Sequence, residues 1–372
     1  MLPFLYPTIQ ESVLRLISRY WGKRDTNLNL PVNSSLSLSL DQGQFCTTTT
    51  GQANALFDKD RLWLNGKEQN INPGGRLDKC IRAMRALRKK YEDECDQPDK
   101  VRSLSYCVFR SNRQMKVSAW CIHVASYNNF PTAAGLASSA AGFAALTYCL
   151  ATVYRLPNTC TELSTIARQG SGSACRSLFG GFVAWEMGSS ASGEDSRAVQ
   201  IATAESWSNM HALICVVSDE KKPVSSTAGM QRTVETSPLL QHRIKHVVPK
   251  RMEAITRAIQ DHDFNSFAEL TMKDSDQFHA VCLDTHPPIF YLNDKSRNVI
   301  ALVHELNRIS IAQSGSCVAA YTFDAGPNPV IYGLERNMKE IVNMIATYFP
   351  LSSPFKDNFA VFRPGDLVGR CR

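Results

Sequence analysis

Apolar and polar residues alternate at every second position near the start of the chain. Leucine and serine take turns from Ser35 to Leu40, a period of two that predicts a β-strand. The threonine run Thr47–Thr50 also favours extended chain. Asn65-Gly66 follows the apolar stretch 62–64 and predicts a hairpin turn.

Helical periodicity follows the strands. Leu77–Tyr91 is amphipathic and basic on one face, and Ala140–Tyr154 is apolar on all sides. The latter predicts a buried helix, since a membrane span needs about 20 residues. Further helices are predicted at 163–169, 239–261, 267–282 and 296–307, and further strands at 119–125, 210–217, 319–323 and 330–332. Strands in runs followed by helices in runs favour an α+β fold. A domain boundary is predicted near 190–208, next to the Ser/Gly cluster at 188–193.

The charge balance points to small anionic ligands. The 372 residues include 41 Lys+Arg and 34 Asp+Glu, a net charge of +7. The basic residues are spread along the chain and do not form runs. Since the sequence has no motif that reads nucleic acid, this charge distribution argues against nucleic-acid binding as the main activity. The 12 cysteines contain no CxxC pair and fit a reducing, cytoplasmic compartment better than a disulfide scaffold. A transit peptide at the N-terminus stays open as a minority alternative.

Two glycine- and serine-rich loops are candidates for binding anions. The first, 128–140, contains Pro131 and Gly135 and leads directly into a helix, whose free N–H groups could cradle a phosphate. A serine-capped buried helix fits this loop equally well. The second, 170–177, resembles a dinucleotide loop but has Cys175 in place of the third glycine. Its hydroxyls and Arg176 could bind a carboxylate or phosphate, although a flexible connection is as plausible.

Two further segments carry weaker signals. Asp324 ends a strand on the turn 325–328 and could act as a general base, although turn chemistry alone explains an aspartate there. The segment 19–24 combines three cations with two aromatic residues and could clamp an anion, although surface clusters of this kind are common. His242 and His246 have helical metal-ligand spacing but no accompanying acidic residue.

Taken together, these segments resemble the mevalonate diphosphate decarboxylase family of the GHMP kinase superfamily. The most specific are Tyr-Trp-Gly-Lys at 20–23, Gly-Ser-Gly-Ser-Ala-Cys-Arg at 170–176 and Asp-Ala-Gly-Pro-Asn at 324–328. The resemblance extends in order over about residues 19–333 and also includes 31–36, 63–66, 128–145, 170–185, 220–222, 226–230 and 272–275.

The resemblance implies an α+β, two-domain GHMP-kinase-like fold with the active site in the interdomain cleft. An ATP-binding domain would span 1–200 and a second α+β domain 201–372. The implied reaction converts mevalonate 5-diphosphate and ATP, with Mg²⁺, to isopentenyl diphosphate, carbon dioxide, ADP and phosphate. The family is also typically homodimeric, with no nucleic-acid partner and no membrane span.

The resemblance also implies roles for individual residues. Asp324, Arg176, Ser139 and Lys23 would carry the chemistry, with Asp324 accepting or orienting the proton of the 3-hydroxyl. ATP phosphates would lie on Pro131, Ala133, Ala134, Gly135, Leu136, Ala137, Ser138 and Ser139, and Mg²⁺ would contact Ser139. Substrate would contact Tyr20, Trp21, Gly22, Lys23, Arg76, Ser171, Gly172, Ser173, Ala174, Cys175, Arg176, Ser226 and Thr227.

The chain departs from the family at two positions and at both ends. Leu14 falls where the family has asparagine, and Arg19 where it has lysine. These changes keep open a catalytically impaired protein with the same fold, against which the retention of Asp324, Ser139 and Arg176 counts. A small-molecule kinase of the superfamily is the other alternative, and the setting of Arg176 speaks against it.

Overall fold

The computed structural model describes residues 8–12, 14–95, 116–129, 138–218, 224–350 and 369–370. The described residues form three main sheets with helices packed around them, in agreement with the predicted α+β class.

The first half of the chain carries two of these sheets. One has the strand order β1-β6-β9-β7-β8 and the other the order β11-β10-β5-β2. The strands are β1 (Thr8–Ser12), β2 (Leu14–Ser18), β3 (Lys23–Asp25), β4 (Leu30–Pro31), β5 (Ser35–Ser39), β6 (Cys46–Asn54), β7 (Arg61–Leu64), β8 (Lys67–Gln69), β9 (Cys121–Asn128), β10 (Phe182–Trp185) and β11 (Ala198–Ala202). β3 and β4 form a separate two-stranded ribbon.

The period-two strand is confirmed as β5, but both of its faces are buried. Its serines therefore do not face water, as simple alternation would suggest. Ser35 accepts a hydrogen bond from Arg176, and Ser39 donates to the carbonyl of Phe179. The predicted hairpin turn is also confirmed, with positive φ at Asn65 and Gly66.

Four helices accompany these sheets: α1 (Arg76–Glu94), α2 (Ser138–Val153), α3 (Cys160–Gly170) and α4 (Ala174–Ser177). The apolar α2 is buried along most of its length, as its sequence predicts. No helix among the described residues is long and apolar enough to cross a membrane.

The second half of the chain packs a third sheet, of order β13-β14-β12-β15, against helices. Its strands are β12 (Met210–Ile214), β13 (Ala320–Phe323), β14 (Pro329–Leu334) and β15 (Gly369–Arg370). Its helices are α5 (Ser226–Thr236), α6 (Pro238–His242), α7 (Val248–Gln260), α8 (Phe264–Asp284), α9 (Asp294–Ser314) and α10 (Glu335–Tyr348).

The single helix predicted over 239–261 is wrong in one respect, since a π-turn at Arg243–Val247 separates α6 from α7. Pro249 lacks the N–H that would bond the carbonyl of Lys245, and its ring would clash with that carbonyl in a regular helix. Helices α5 and α10 escaped the sequence analysis altogether.

One apolar cluster joins the two halves. Leu38 and Phe182 from the first half belong to the same buried cluster as Met210, Phe267 and Tyr332 from the second. This shared core fixes the position of the segment that follows β2, which contains the predicted site residues Tyr20–Lys23.

Candidate active site

The segment after β2 runs from the first half of the chain to helix α8. Side chains of the second half form hydrogen bonds with its backbone there. The N–H of Arg19 donates to Asp274 Oδ2 over 2.8 Å. The carbonyl of Arg19 accepts from Arg243 Nη2 over 3.1 Å. Both peptide groups of one residue are therefore fixed by side chains that come more than 200 positions later.

Asp274 lies at the centre of a buried charge cluster. Its carboxylate is 1% exposed and accepts from Arg243 Nη2 at 2.8 Å and from Arg251 Nη1 at 2.9 Å. Burial alone would raise the pKa of Asp274, but the two arginines hold that pKa below its ordinary value. The π-turn begins at Arg243 and ends before Arg251. It rotates Arg251 about the helix axis relative to Arg243, and both arginines reach the same carboxylate.

Asp324 follows the last residue of β13 and forms an ion pair with the Arg19 guanidinium. The Asp324 side chain is 31% exposed, whereas that of Arg19 is 5% exposed. The Arg19 guanidinium also lies 5.2 Å from the centroid of the Phe278 ring. The lysine expected from the family resemblance is thus replaced by a cation that reaches the predicted base and fixes the end of the Asp324 side chain.

Arg176 lies on α4 and is fully buried. It donates to the hydroxyls of Ser35 and Ser173, and its guanidinium lies 5.4 Å from the Trp185 ring and 5.9 Å from the Tyr20 ring. Burial lowers the pKa of Arg176. Its hydrogen-bond acceptors among the described residues are neutral hydroxyls, so an anionic ligand would find an uncompensated cation here.

Tyr20 packs beside Arg176 and Trp185. Its ring meets Trp185 edge-on at 4.7 Å between centroids, and burial raises the pKa of its phenol. A side chain on Gly172 would clash with the Tyr20 hydroxyl, since an added Cβ would lie 2.8 Å from it. The neighbouring hydroxyl of Ser173 completes a polar wall beside Arg176.

Two more cations lie near the end of α3. Lys23 Nζ donates to Asn29 Oδ1 over 2.6 Å, and Arg76 Nη1 reaches the Gly170 carbonyl at 3.4 Å. Burial, and next the charge of Arg76, lower the pKa of Lys23. Two cations held close enough to repel each other are typical of a site for a highly charged anion.

The N-terminal end of α2 faces this region. Ser139 Oγ lies 3.3 Å from Ser171 Oγ, so the two predicted loops meet at these hydroxyls. Ser138 is the first residue of α2. The remaining predicted phosphate-loop residues, Pro131, Ala133, Ala134, Gly135, Leu136 and Ala137, lie outside the described residues.

Four predicted substrate residues make packing contacts. Trp21 is 4% exposed, and its Nε1–H donates to Thr233 Oγ1 over 2.9 Å. Gly22 has φ +104° and lacks room for a side chain. Ala174 and Cys175 are buried in α4, where burial raises the pKa of the Cys175 thiol to about 11. Ligand contact at these four stays a prediction.

Ser226 and Thr227 begin α5, which Ser225 caps by accepting from the Ala228 N–H. Thr227 is exposed and Ser226 half-buried. Their role in binding substrate also stays a prediction.

Helix α8 supplies residues that sequence reasoning gave no role. Asp274 holds the Arg19 peptide, and Ser275 Oγ accepts from the N–H of Phe323, the residue before Asp324. His279 lies one turn further along the same helix. The segment 272–275 was part of the resemblance, but only the fold reveals which groups its side chains meet.

Comparison with known proteins gives consistent matches over both halves. The model of the diphosphomevalonate decarboxylase-like N-terminal domain matches residues 15–198. That of the mevalonate 5-diphosphate decarboxylase C-terminal domain matches residues 212–364. The diphosphomevalonate decarboxylase of Ganoderma lucidum is 59% identical over 352 residues, which are 95% of this chain and 84% of the relative.

Solved structures give the same result. A crystal structure of mevalonate 5-diphosphate decarboxylase superposes with a TM-score of 0.85 at 47% identity, covering 97% of this chain and 86% of the other. A complex of MDDEF with MVAPP, AMPPCP and magnesium gives a TM-score of 0.74 at 32% identity and covers 94% of each chain.

Proposed function

This chain belongs to the diphosphomevalonate decarboxylase family, and from that premise we propose that it converts mevalonate 5-diphosphate and ATP to isopentenyl diphosphate, carbon dioxide, ADP and phosphate. The observation that carries the proposal is the convergence of Asp324, Arg19 and Arg176 at the junction of the two halves. A carboxylate held by one cation and facing a second, buried cation suits a substrate that carries both a hydroxyl and a carboxylate.

Asp324 accepts or orients the proton of the tertiary 3-hydroxyl while that oxygen attacks the γ-phosphorus of ATP. Phosphorylation is needed because hydroxide is a poor leaving group. When the phosphate leaves, electrons from the breaking C–C bond form the alkene, and the carboxylate departs as carbon dioxide. The Asp324 carboxylate steadies the positive charge that develops at C3.

Arg176 holds the substrate carboxylate in line for cleavage of the C–C bond. Its two serine partners fix the plane of the guanidinium, and each terminal nitrogen keeps a second N–H that can bind a carboxylate. Lys23 and Arg76 offset the charge of the diphosphate, together with the hydroxyls of Ser171 and Ser173.

The ATP phosphates lie at the N-terminal end of α2 and on the loop before it. Among the described residues there is no group of three or more acidic, histidine or cysteine side chains that could hold a metal. This fits Mg²⁺, which is commonly held by substrate phosphates and water with few protein ligands, and the Ser139 hydroxyl suits one such position. When bound, Mg²⁺ neutralises the charge that develops on the transferred phosphoryl group.

We further propose a cytosolic homodimer with its domains divided near residue 200. The ten cysteines of the described residues are free thiols, which supports a reducing compartment. The family-model matches, which end at residue 198 and begin again at residue 212, support the boundary.

The test is parallel measurement of ADP and carbon dioxide from purified protein with ATP, Mg²⁺ and mevalonate 5-diphosphate. We expect equal release of the two products, and a loss of about 10²–10⁴-fold in Asp324→Ala because a positioned acid–base group is removed. Asp294→Ala is the matched control, since this exposed carboxyl at the start of α9 pairs only at the surface.

Each alternative has its own outcome. ADP together with a stable phosphorylated product and no carbon dioxide would indicate a small-molecule kinase. Release of neither product by a folded protein that binds ATP would indicate an impaired member of the family, with Leu14 and Arg19 as the first positions to revert.

A further inference from the structure

The turn between β3 and β4 carries a buried asparagine. Asn29 is 6% exposed and has φ +52°, a left-handed conformation that asparagine tolerates better than most residues do. β4 begins at the next residue, Leu30, which is paired with Asp25 across the ribbon. The carbonyl of Leu28 accepts from Nε of the buried Arg168 over 3.2 Å. The backbone is therefore fixed on both sides of Asn29.

Both ends of the Asn29 amide have partners, and these partners determine its orientation. Nδ2 donates to the carbonyl of Gln169 over 2.9 Å. Oδ1 accepts from Lys23 Nζ over 2.6 Å. A backbone carbonyl can only accept and an ammonium can only donate, so the two ends of the amide cannot be exchanged. Asn29 thus connects the Lys23 ammonium to the last turn of α3.

A second cation is attached to the same helix end. Arg76 Nη1 donates over 3.4 Å to the carbonyl of Gly170, which is the last residue of α3 and follows Gln169. The predicted substrate residue Ser171 comes next, so both cations are anchored where the second predicted loop begins. Lys23 pairs with no carboxylate among the residues that the structure describes, and its acceptor there is the neutral amide.

We propose that Asn29 is a positioning residue for substrate binding, which directs the Lys23 ammonium towards the substrate's diphosphate and leaves the ammonium charge uncompensated. This rests on the proposed function, because that function supplies the diphosphate. A carboxylate at position 29 would form an ion pair with Lys23 and compete with the diphosphate for it. A neutral acceptor holds the ammonium in place without neutralising it, so the full charge is available to the anion.

The variant Asn29→Asp separates the charge of this side chain from its shape. Aspartate is nearly the same size and also tolerates positive φ, but it pairs with Lys23 and cannot donate to Gln169. The dissociation constant of mevalonate 5-diphosphate, measured by isothermal titration calorimetry, should rise about 10–100-fold, because the diphosphate loses a charged partner. At saturating mevalonate 5-diphosphate, kcat should stay within about 3-fold and the KM for ATP within about 2-fold of the wild type, since only substrate binding is weakened.

Two control variants accompany Asn29→Asp. Asn29→Gly accepts the positive φ and removes the amide without adding a charge, so the dissociation constant should rise only about 3–5-fold. Asn54→Asp adds the same charge at the end of β6 that lies away from the loop 128–140. Asn54 Oδ1 accepts from the N–H of Leu56 over 2.9 Å, a bond that aspartate keeps. This variant should bind mevalonate 5-diphosphate like the wild type.

The decisive comparison is made in a Lys23→Met background. There Asn29→Gly should cost less than about 2-fold in affinity, since no ammonium remains to be directed. A loss of the same size in both backgrounds would overturn the proposal, and this comparison also serves if Asn29→Asp fails to fold. Equal losses for Asn29→Asp and Asn29→Gly, or an unchanged dissociation constant in Asn29→Asp, would overturn it as well.

The calorimetric measurement keeps this inference distinct from the proposed function. A wild-type protein that binds mevalonate 5-diphosphate but releases no carbon dioxide would overturn the proposed function, while the ranking of the Asn29 variants would still support the role of Asn29. A wild-type protein that does not bind mevalonate 5-diphosphate would overturn both.

Discussion

At the scale of single residues, Arg176 is a buried cation without a carboxylate among its hydrogen-bond acceptors in the described part of the chain. Ser35 and Ser173 satisfy part of the guanidinium, and the rings of Tyr20 and Trp185 cover it. Burying a charge that has only neutral hydrogen-bond acceptors costs free energy. The presence of Arg176 at this buried position therefore indicates an anionic ligand. Under the proposed function, the substrate carboxylate would offset this cost.

Arg176→Lys should lower kcat/KM by about 10²-fold or more, because lysine keeps the charge but loses the planar fork that holds both serines and a carboxylate. Steady-state kinetics of carbon dioxide release measure the effect. Arg24→Lys is the control, since Arg24 is an exposed cation that donates to backbone carbonyls of Met187 and Ser190. An Arg176→Lys variant with wild-type kcat/KM would contradict the role given to the guanidinium.

At the scale of secondary-structure elements, α8 organises the site. Asp274 on this helix fixes the Arg19 peptide, Ser275 accepts from the N–H of the residue before Asp324, and Phe278 lies against the Arg19 guanidinium. The sequence analysis predicted a helix over 267–282 but did not predict which contacts its buried face makes. Amphipathic periodicity identifies which face is buried, but not which distant backbone that face meets.

Asp274→Asn should lower the free energy of unfolding by about 3–5 kcal/mol at neutral pH, because Arg243 and Arg251 would keep buried charges without their carboxylate. Urea denaturation at neutral pH measures the loss. Asp294→Asn, which disrupts an ion pair between an 89% exposed carboxyl and Arg297, should change the free energy by less than about 0.5 kcal/mol.

The same variant has an expected pH dependence. The pKa of Asp274 is lowered in the folded protein, so its contribution to stability is present above the unfolded pKa of about 3.9 and is lost as the pH falls through the lower, folded pKa. The stability difference between wild type and Asp274→Asn should therefore shrink below about pH 4. A difference that grows on acidification would contradict the charge assignment of Asp274.

At the scale of the whole molecule, the two halves share one core, and the segment after β2 is fixed between them. Trp21 contributes to this junction through Thr233 on α5, Phe278 on α8 and the ring of Tyr291. The site therefore depends on the packing of the halves against each other. The described residues contain no group of three or more acidic, histidine or cysteine side chains that could hold a metal.

Chelation of divalent cations by EDTA should abolish product release but leave the melting temperature of the ligand-free protein unchanged within about 1 °C. A structural metal would stabilise the fold in proportion to its binding free energy, whereas a metal held by ATP phosphates would not. Thermal denaturation with and without EDTA tests this, and excess Mg²⁺ should restore activity. A melting temperature several degrees lower in EDTA would reveal a structural ion.

The sequence by itself determined the local elements and the identity of the chemical groups. The alternation at 35–40, the Asn65-Gly66 turn and the apolar run of α2 each depend on neighbouring residues only, and each is confirmed. The linear motifs also indicated the family, because their residues are contiguous. The π-turn before α7 was missed, since a proline indicates a break but not the form it takes.

Only the tertiary structure decided how these groups meet. It paired Arg19 with Asp324, held the Arg19 peptide between Asp274 and Arg243, and buried both faces of β5. The three Arg19 contacts join residues more than 200 positions apart, and no local pattern encodes them. They arise because a shared apolar core brings one end of β2, the end of β13 and helix α8 to the same place.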